Sequence, residues 1–223
     1  MEIEKRKGSL VIGIPKETHY QEKRVCLTPD AVGALTAQGH KFVIETGAGE
    51  GAKFSDKEYS DLGFNIVNDI SSADVLIGVK EVPINKLIPN KKYFFFSHTI
   101  KKQPYNKDLL LSILDKNIEL FDHETIVDKK SNRLIGFGYY AGVVGAYNGF
   151  RALGLKNKIF NLPKASDLLD RNQLDAELLK ILIPNIKIVL TGSGRVGSGA
   201  KEILDFLKIK QVSVSEYLNN SFN

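Results

Sequence analysis

Gly192, Gly194 and Gly197 stand at Gly-x-Gly-x-x-Gly spacing in the run Gly192-Ser193-Gly194-Arg195-Val196-Gly197. The three glycines at that spacing serve, in turn, a tight turn, close backbone approach to a pyrophosphate, and close packing of a helix on the strand before it. The N–H groups at the start of the following helix would then meet the phosphates of a dinucleotide. The context fits, since the apolar run 186–190 precedes the glycines and a helix-like pattern, Ala200, Ile203, Leu204 and Leu207, follows them. A second strand is expected at 212–214. Glu216, 19 residues past Gly197, then stands about where a carboxylate accepts hydrogen bonds from the adenosine ribose. Such a carboxylate would repel a 2′-phosphate, so NAD is expected as cofactor, with NADP left open. The plain alternative is a Gly-rich turn that binds nothing.

Lys80 and His98 are the other residues that could do chemistry. They fall just past two apolar runs that read as strands, 75–79 and 93–97, and ligands of open α/β sheets bind at the carboxyl ends of the strands. Beside a nicotinamide site, a lysine and a histidine could move protons while hydride transfer makes or breaks a C–N or C–O bond. By residue type alone, a surface lysine and a packed histidine explain the pair equally well. No metal site is expected: Cys26 is the single cysteine and has no thiol partner for a metal or a disulfide.

The elements that must position these residues follow the rhythm of a parallel α/β sheet, short apolar runs alternating with amphipathic stretches. The first run is 10–14, followed by a helix at 30–38 and a strand at 41–45. Thr28-Pro29 is a helix start, a capping hydroxyl before proline at the first helical position, and Gly39 is its stop. Ser55 and Glu58 form a capping box for a helix ending at Gly63. A helix carrying Leu109, Leu110, Ile113 and Leu114 leads to a further strand at 118–121. The polar cluster at 128–132 reads as a hairpin or surface turn. Small residues then crowd 138–153, and glycine costs about 1 kcal/mol relative to alanine inside a helix. So many glycines predict a buried helix that crosses another backbone closely. A connector at 156–165 and a helix at 173–183 complete the pattern.

At 223 residues, 43% hydrophobic and 26% charged, the chain has the composition of an ordinary globular protein able to bury a core. The charged N-terminus lacks an apolar export segment and no apolar run approaches a bilayer span, so a cytoplasmic location and no membrane partner are expected. The net charge of +5 comes from scattered lysine pairs without interleaved aromatic platforms, which argues against nucleic acid as a partner.

Six further motifs carry a resemblance. Gly13-Ile14-Pro15-Lys16-Glu17, Arg24-Val25-Cys26-Leu27-Thr28-Pro29 and Gly47-Ala48-Gly49 resemble the start of the alanine dehydrogenase and transhydrogenase N-terminal domain. Gly78-Val79-Lys80-Glu81-Val82-Pro83, Ser97-His98-Thr99-Ile100-Lys101 and Gly136-Phe137-Gly138-Tyr139-Tyr140-Ala141-Gly142 narrow it. They resemble the lysine-forming saccharopine dehydrogenases and, equally, the lysine-ketoglutarate reductase half of the bifunctional lysine-degrading enzyme. The similarity runs over about residues 12–207.

The resemblance implies that Lys80 and His98 are the catalytic lysine and histidine. The reaction would interconvert saccharopine with lysine and 2-oxoglutarate, using a nicotinamide cofactor. It places Arg24 and Arg133 as partners of substrate carboxylates, with Lys101 a nearby basic residue and Glu81, Glu124 and Glu22 acidic residues lining the site. Arg195 and Val196 fill the variable middle of the glycine fingerprint and leave the choice between NAD and NADP undecided. His19, His40 and His123 have no role to inherit and read as surface or packed histidines.

The implied fold is α/β, with a parallel-sheet catalytic domain over 1–136, a crossing helix and connector over 137–184, and the start of a Rossmann dinucleotide domain over 185–223. Only 26 residues follow Gly197, fewer than such a domain requires, so the chain reads as truncated there and prone to self-association through uncovered apolar faces. Two other readings stand beside the saccharopine enzyme. One is an alanine dehydrogenase-like enzyme, favoured by the first motifs; the other is a non-catalytic binding or assembly module that kept the scaffold.

Overall fold

The computed structural model describes residues 10–19 and 21–219. Chain contacts divide the protein into two units, Met1–Gly136 and Phe137–Asn223.

The first unit is built on six parallel strands, β1 (Val11–Ile14), β2 (Lys41–Glu45), β3 (Asn65–Val67), β4 (Val75–Ile77), β5 (Lys92–Phe95) and β6 (Glu119–Asp122), in the order β3-β2-β1-β4-β5-β6. The chain winds outward one way from β1 through β2 to β3, then returns to the other side of β1 for β4, β5 and β6. The reversal lies between β1 and β4, where an open parallel sheet leaves a crevice at its carboxyl edge. Residues after those two strands, Glu17 and Lys80 among them, therefore start at the crevice.

Both faces of the sheet are covered, which is why its strands read as unbroken apolar runs. On β2, Phe42 and Ile44 join Ile14, Val32 and Tyr59 in one cluster, while Val43 points the other way toward Leu76, Tyr93, Phe95, Leu109 and Ile113. The first cluster is closed by helix α1 (Pro29–Thr36) and α2 (Asp56–Asp61), and the second by α3 (Lys107–Asp115). Local chemistry starts these helices where the sequence predicts. Thr28 Oγ1 accepts from Ala31 N with Pro29 at the first helical position, and the Ser55/Glu58 capping box is complete. Gly63, at φ +86°, takes the chain out of α2. Strand β3 is three residues long, and its Asn-Ile-Val sequence carries no alternation to announce it. The polar cluster closes as a turn in which Asp128 accepts from Lys130 N and Asn132 N, and Val127 and Arg133 form an antiparallel bridge across it.

The second unit contains α4 (Gly138–Asn157), α5 (Arg171–Leu178), α6 (Arg195–Phe206) and α7 (Val214–Asn219). Val143, Tyr147 and Phe150 of α4 share one core with Leu162, Leu174, Leu178 and Ile203, so the segment expected to connect and the segment expected to bind cofactor pack together. The close crossing is present. A Cβ at Gly142 would lie 1.9 Å from Val196 O, and one at Gly199 would lie 1.9 Å from Tyr139 O, so α4 and α6 meet backbone to backbone. Gly145 and Gly149 face open space instead, which limits the buried face to one side of α4.

Neither strand expected in this unit forms. Residues 186–190 pair with no strand among the described residues, because a strand's backbone bonds come from a neighbour and none runs beside them. At 212–214 a helix start prevails. Ser213 Oγ accepts from Glu216 N at 3.2 Å, the Glu216 carboxylate accepts from Ser213 N at 2.8 Å, and α7 begins at Val214.

The two classes of glycine in α4 and α6 give opposite expectations. Gly142→Ala or Gly199→Ala should push the helices apart and cost about 1–3 kcal/mol, as overpacking does. Gly145→Ala and Gly149→Ala should each stabilise by roughly 0.5–1 kcal/mol. Urea melts of the four variants test this, and equal effects at all four positions would contradict the crossing.

Candidate active site

His98 follows β5 and stands in the left-handed backbone region at φ 56°, a conformation that costs a side-chain-bearing residue about 1–2 kcal/mol. Its neighbours hold it there. Ser97 is fully buried and its hydroxyl donates to Asp122 at the end of β6, while Thr99 N donates back to Ser97 Oγ at 3.1 Å. The other Asp122 oxygen accepts from Glu124 N at 2.8 Å. One buried Ser–Asp pair thus ties together the turns after β5 and β6, which present His98 and Glu124 to each other.

The His98 ring lies between two carboxylates. Its Nδ1 is 3.2 Å from Glu124 Oε2, and its Nε2 is 3.8 Å from Glu81 Oε1, an ionic contact rather than a hydrogen bond. Lys101 Nζ also approaches Nδ1, at 3.3 Å. A protonated Nδ1 donates to Glu124; a bare Nδ1 accepts from Lys101. The ring therefore has a partner in either protonation state, an arrangement suited to a group that gains and loses a proton. Glu124 is further bound by Lys101 Nζ at 3.4 Å and Arg133 Nη1 at 3.4 Å. Arg133 also lies over the Phe96 ring, 5.9 Å from its centre, and the turn between Val127 and Arg133 brings it there. Burial works against ionisation of Glu124, but His98, Lys101 and Arg133 outweigh it and hold the carboxyl below the usual range.

Lys80 leaves β4 next to Glu81, half-buried, and its charge reaches Glu22. Glu22 and Arg24 form a forked pair, Nε to Oε1 at 2.7 Å and Nη2 to Oε2 at 2.5 Å, with the Glu22 side chain only 6% exposed. Burial disfavours the Glu22 carboxylate, yet the bonds from Arg24 pull its pKa below the usual value, and the same bonds raise that of Arg24. Of the residues singled out in the sequence, His98, Glu81, Lys101, Glu124 and Arg133 thus form one cluster with Lys80 adjoining it through Glu81. Arg24 is engaged by Glu22.

Four residues at these strand ends were not assigned a role from the sequence. Ser97 and Asp122 organise the turns. His123, 7% exposed, places Nε2 3.0 Å from Gly78 O. Glu17, after β1, accepts from Val79 N at 2.6 Å and Lys80 N at 3.0 Å; burial, reinforced by Glu22, pushes its carboxyl up despite those two bonds and Arg24. The available signal was polar residues breaking otherwise apolar strand ends.

In the second unit, the glycine run has the geometry of a phosphate cradle. Gly192 has φ +89°, Gly194 is the N-cap of α6 and makes no side-chain cap bond, and a Cβ at Gly197 would lie 2.2 Å from Gly192 O. Ser193 and Gly197 border a cleft of about 640 Å³ shared with Val212 and Tyr217. These features fit a dinucleotide, with Arg195 and Val196 in the first turn of α6. Glu216 stands in the first turn of α7 rather than at a strand end, and its carboxylate accepts from Ser213 N. No helix among the described residues is long and apolar enough to cross a membrane.

Residues 13–144 match the family model described as "Alanine dehydrogenase/PNT, N-terminal domain". The chain is 34% identical over 220 residues to the mitochondrial alpha-aminoadipic semialdehyde synthase of Bos taurus, covering 91% of this chain and 24% of that protein. It is 32% identical over 222 residues to the saccharopine dehydrogenase [NAD(+), L-lysine-forming] of Candida glabrata, covering 90% of this chain and 57% of that one. Among solved structures, an L-alanine dehydrogenase superposes with a TM-score of 0.65 at 23% identity, over 88% of this chain and 52% of that chain, which supports the fold. The chain thus spans between about a quarter and somewhat over half of these relatives.

Glu124 generates a pH prediction. Its carboxyl is held below the usual range in the folded state, so the stability it adds is present above the unfolded value of about 4.3 and is lost as pH falls through the folded value. Glu124→Gln should destabilise by on the order of 1 kcal/mol at pH 7, and the gap between variant and parent should narrow as the pH falls below the unfolded carboxyl value. Urea melts at pH 7 and at successively more acidic pH check the sign; a gap that widened in acid would contradict the ion cluster.

Proposed function

Because the chain belongs to the alanine dehydrogenase/PNT N-terminal domain family, we propose that it supplies the acid/base and substrate-carboxylate residues of an amino-acid oxidoreductase that interconverts saccharopine with lysine and 2-oxoglutarate. The observation that carries this reading is His98 held between Glu81 and Glu124, with Lys101 and Arg133 beside it, at the carboxyl edge of the sheet. The name of the Candida glabrata relative, a lysine-forming saccharopine dehydrogenase, supports the lysine branch.

The balanced reaction takes saccharopine, oxidised cofactor and water to lysine, 2-oxoglutarate, reduced cofactor and a proton. A nicotinamide cofactor, NAD by analogy with the Candida glabrata protein, would rest its phosphates on Gly192, Ser193, Gly194 and Gly197 and supply the hydride acceptor. This chain's residues handle protons and charge. The secondary amine must lose a proton, water must add to the C=N bond, and the resulting carbinolamine must lose a proton as its C–N bond breaks. Lys80 and His98 serve as the two groups that take and return those protons. His98 is suited to it because Nδ1 can donate to Glu124 when it carries a proton and accept from Lys101 when it does not. Lys101 and Arg133 are 46% and 45% exposed, and one carboxylate does not exhaust a guanidinium's five donors, so both can meet a substrate carboxylate as well as Glu124. Arg24 is the third such partner, oriented by its fork with Glu22.

In the full enzyme, Lys80→Met or His98→Gln should lower kcat roughly 10²- to 10⁴-fold with dinucleotide binding nearly intact. Arg24→Ala should chiefly raise KM for saccharopine or 2-oxoglutarate. Steady-state kinetics with saccharopine and with alanine test the reading: turnover of alanine and not saccharopine would move the protein to the alanine dehydrogenase branch. Near-normal kcat in both catalytic variants would remove the mechanism and favour a binding module.

A further inference from the structure

The backbone between β4 and Lys80 is held in an unusual way. Three successive peptide groups are each bound at both ends. In the first, Ile77 O accepts from Cys26 Sγ at 2.9 Å while Gly78 N donates to Phe94 O at 2.8 Å. In the second, Gly78 O accepts from His123 Nε2 at 3.0 Å while Val79 N donates to Glu17 Oε1 at 2.6 Å. In the third, Val79 O accepts from Phe96 N at 3.0 Å while Lys80 N donates to Glu17 Oε2 at 3.0 Å. Strand pairing with β5 provides only the Phe94 and Phe96 bonds. The rest come from side chains of other segments.

Fixing the planes of two adjacent peptide groups fixes the dihedral angles of the residue between them, and hence the place at which the Cα of Lys80 stands. Glu17 spans both planes with one carboxylate, and bonds from backbone N–H groups to an ionised acceptor are the strong kind. Gly78 permits the approach: a Cβ there would lie 3.0 Å from Glu17 Oε1. His123 completes the grip from β6. Its Nδ1 is buried without a partner among the described residues, so Nε2 carries the proton donated to Gly78 O.

We propose that Glu17 and His123 are positioning residues, a two-sided clamp across the β1, β4 and β6 ends that aims Lys80 at the crevice; the inference rests on the catalytic role given to Lys80 above. Neither residue need touch substrate. Their part is to keep the Lys80 ammonium where it can exchange a proton, and small misplacements of a reacting group are costly.

Glu17→Gln is the direct test, because an amide offers one oxygen and turns an N–H toward one of the two backbone donors. Glu17→Asp and the pair His123→Gln and His123→Leu extend it, since the glutamine can still donate to Gly78 O. Three readouts are taken on the full chain: the amide proton shifts of Val79 and Lys80 by NMR, the rate at which Lys80 is acetylated relative to exposed Lys57 by mass spectrometry, and kcat and KM. The clamp predicts loss of the downfield amide shifts, an altered Lys80 labelling ratio, and kcat lowered about 10²-fold with KM nearly unchanged. It also predicts that His123→Gln retains more kcat than His123→Leu. Unchanged amide shifts and an unchanged labelling ratio in Glu17→Gln overturn it, as does normal kcat in that variant. Should Glu17→Gln fail to fold, Glu17→Asp and the His123 pair carry the same three readouts. Failure of the parent chain to turn over saccharopine would sink the proposed reaction alone, because the shift and labelling measurements need no substrate.

Discussion

Parallel pairing brings the carboxyl ends of all six strands to one edge, and the site in the first unit follows from that constraint. A parallel sheet must return each chain over its face before adding the next strand, so residues that follow different strands become neighbours however far apart they lie in sequence. Glu17 after β1, Lys80 after β4, His98 after β5 and Glu124 after β6 meet for this reason. The order reversal between β1 and β4 then leaves the gap into which Glu17 reaches.

The strand ends are also where the structure tolerates strain and buried charge. His98 keeps a left-handed backbone because Ser97, Asp122 and Thr99 hold the turn around it. Glu124 stays ionised against the cost of burial because three basic side chains surround it. Cys26 shows the contrast. Burial pushes its thiol up, far from the thiolate that reacts, and its S–H serves as a donor to Ile77 O.

In the second unit, glycine spacing serves two different purposes. Gly142 and Gly199 let two helices touch through their backbones, and Gly197 does the same for α6 and the Gly192 turn. Gly192 instead supplies a positive φ that other residues rarely adopt.

Local residue patterns were enough to place much of the sheet and its helices. Apolar runs long enough to be buried on both faces marked β1, β2, β4, β5 and β6, and Thr28-Pro29 and the Ser55/Glu58 box set helix starts, because capping and periodicity are local effects. Lys80 and His98 were legible as strand-end residues, and motif resemblance added Glu81, Lys101, Glu124 and Arg133. The partners of those side chains, by contrast, follow from the folded arrangement. Arg24 is forked to Glu22, His98 is shared between Glu124 and Lys101, and Glu17 and His123 grip the backbone before Lys80. The same limit explains the strands expected at 186–190 and 212–214. A helix closes its hydrogen bonds within its own segment, so Ser213 and Glu216 suffice to start one. A strand takes its bonds from another part of the chain, and an apolar run cannot state whether that neighbour is there.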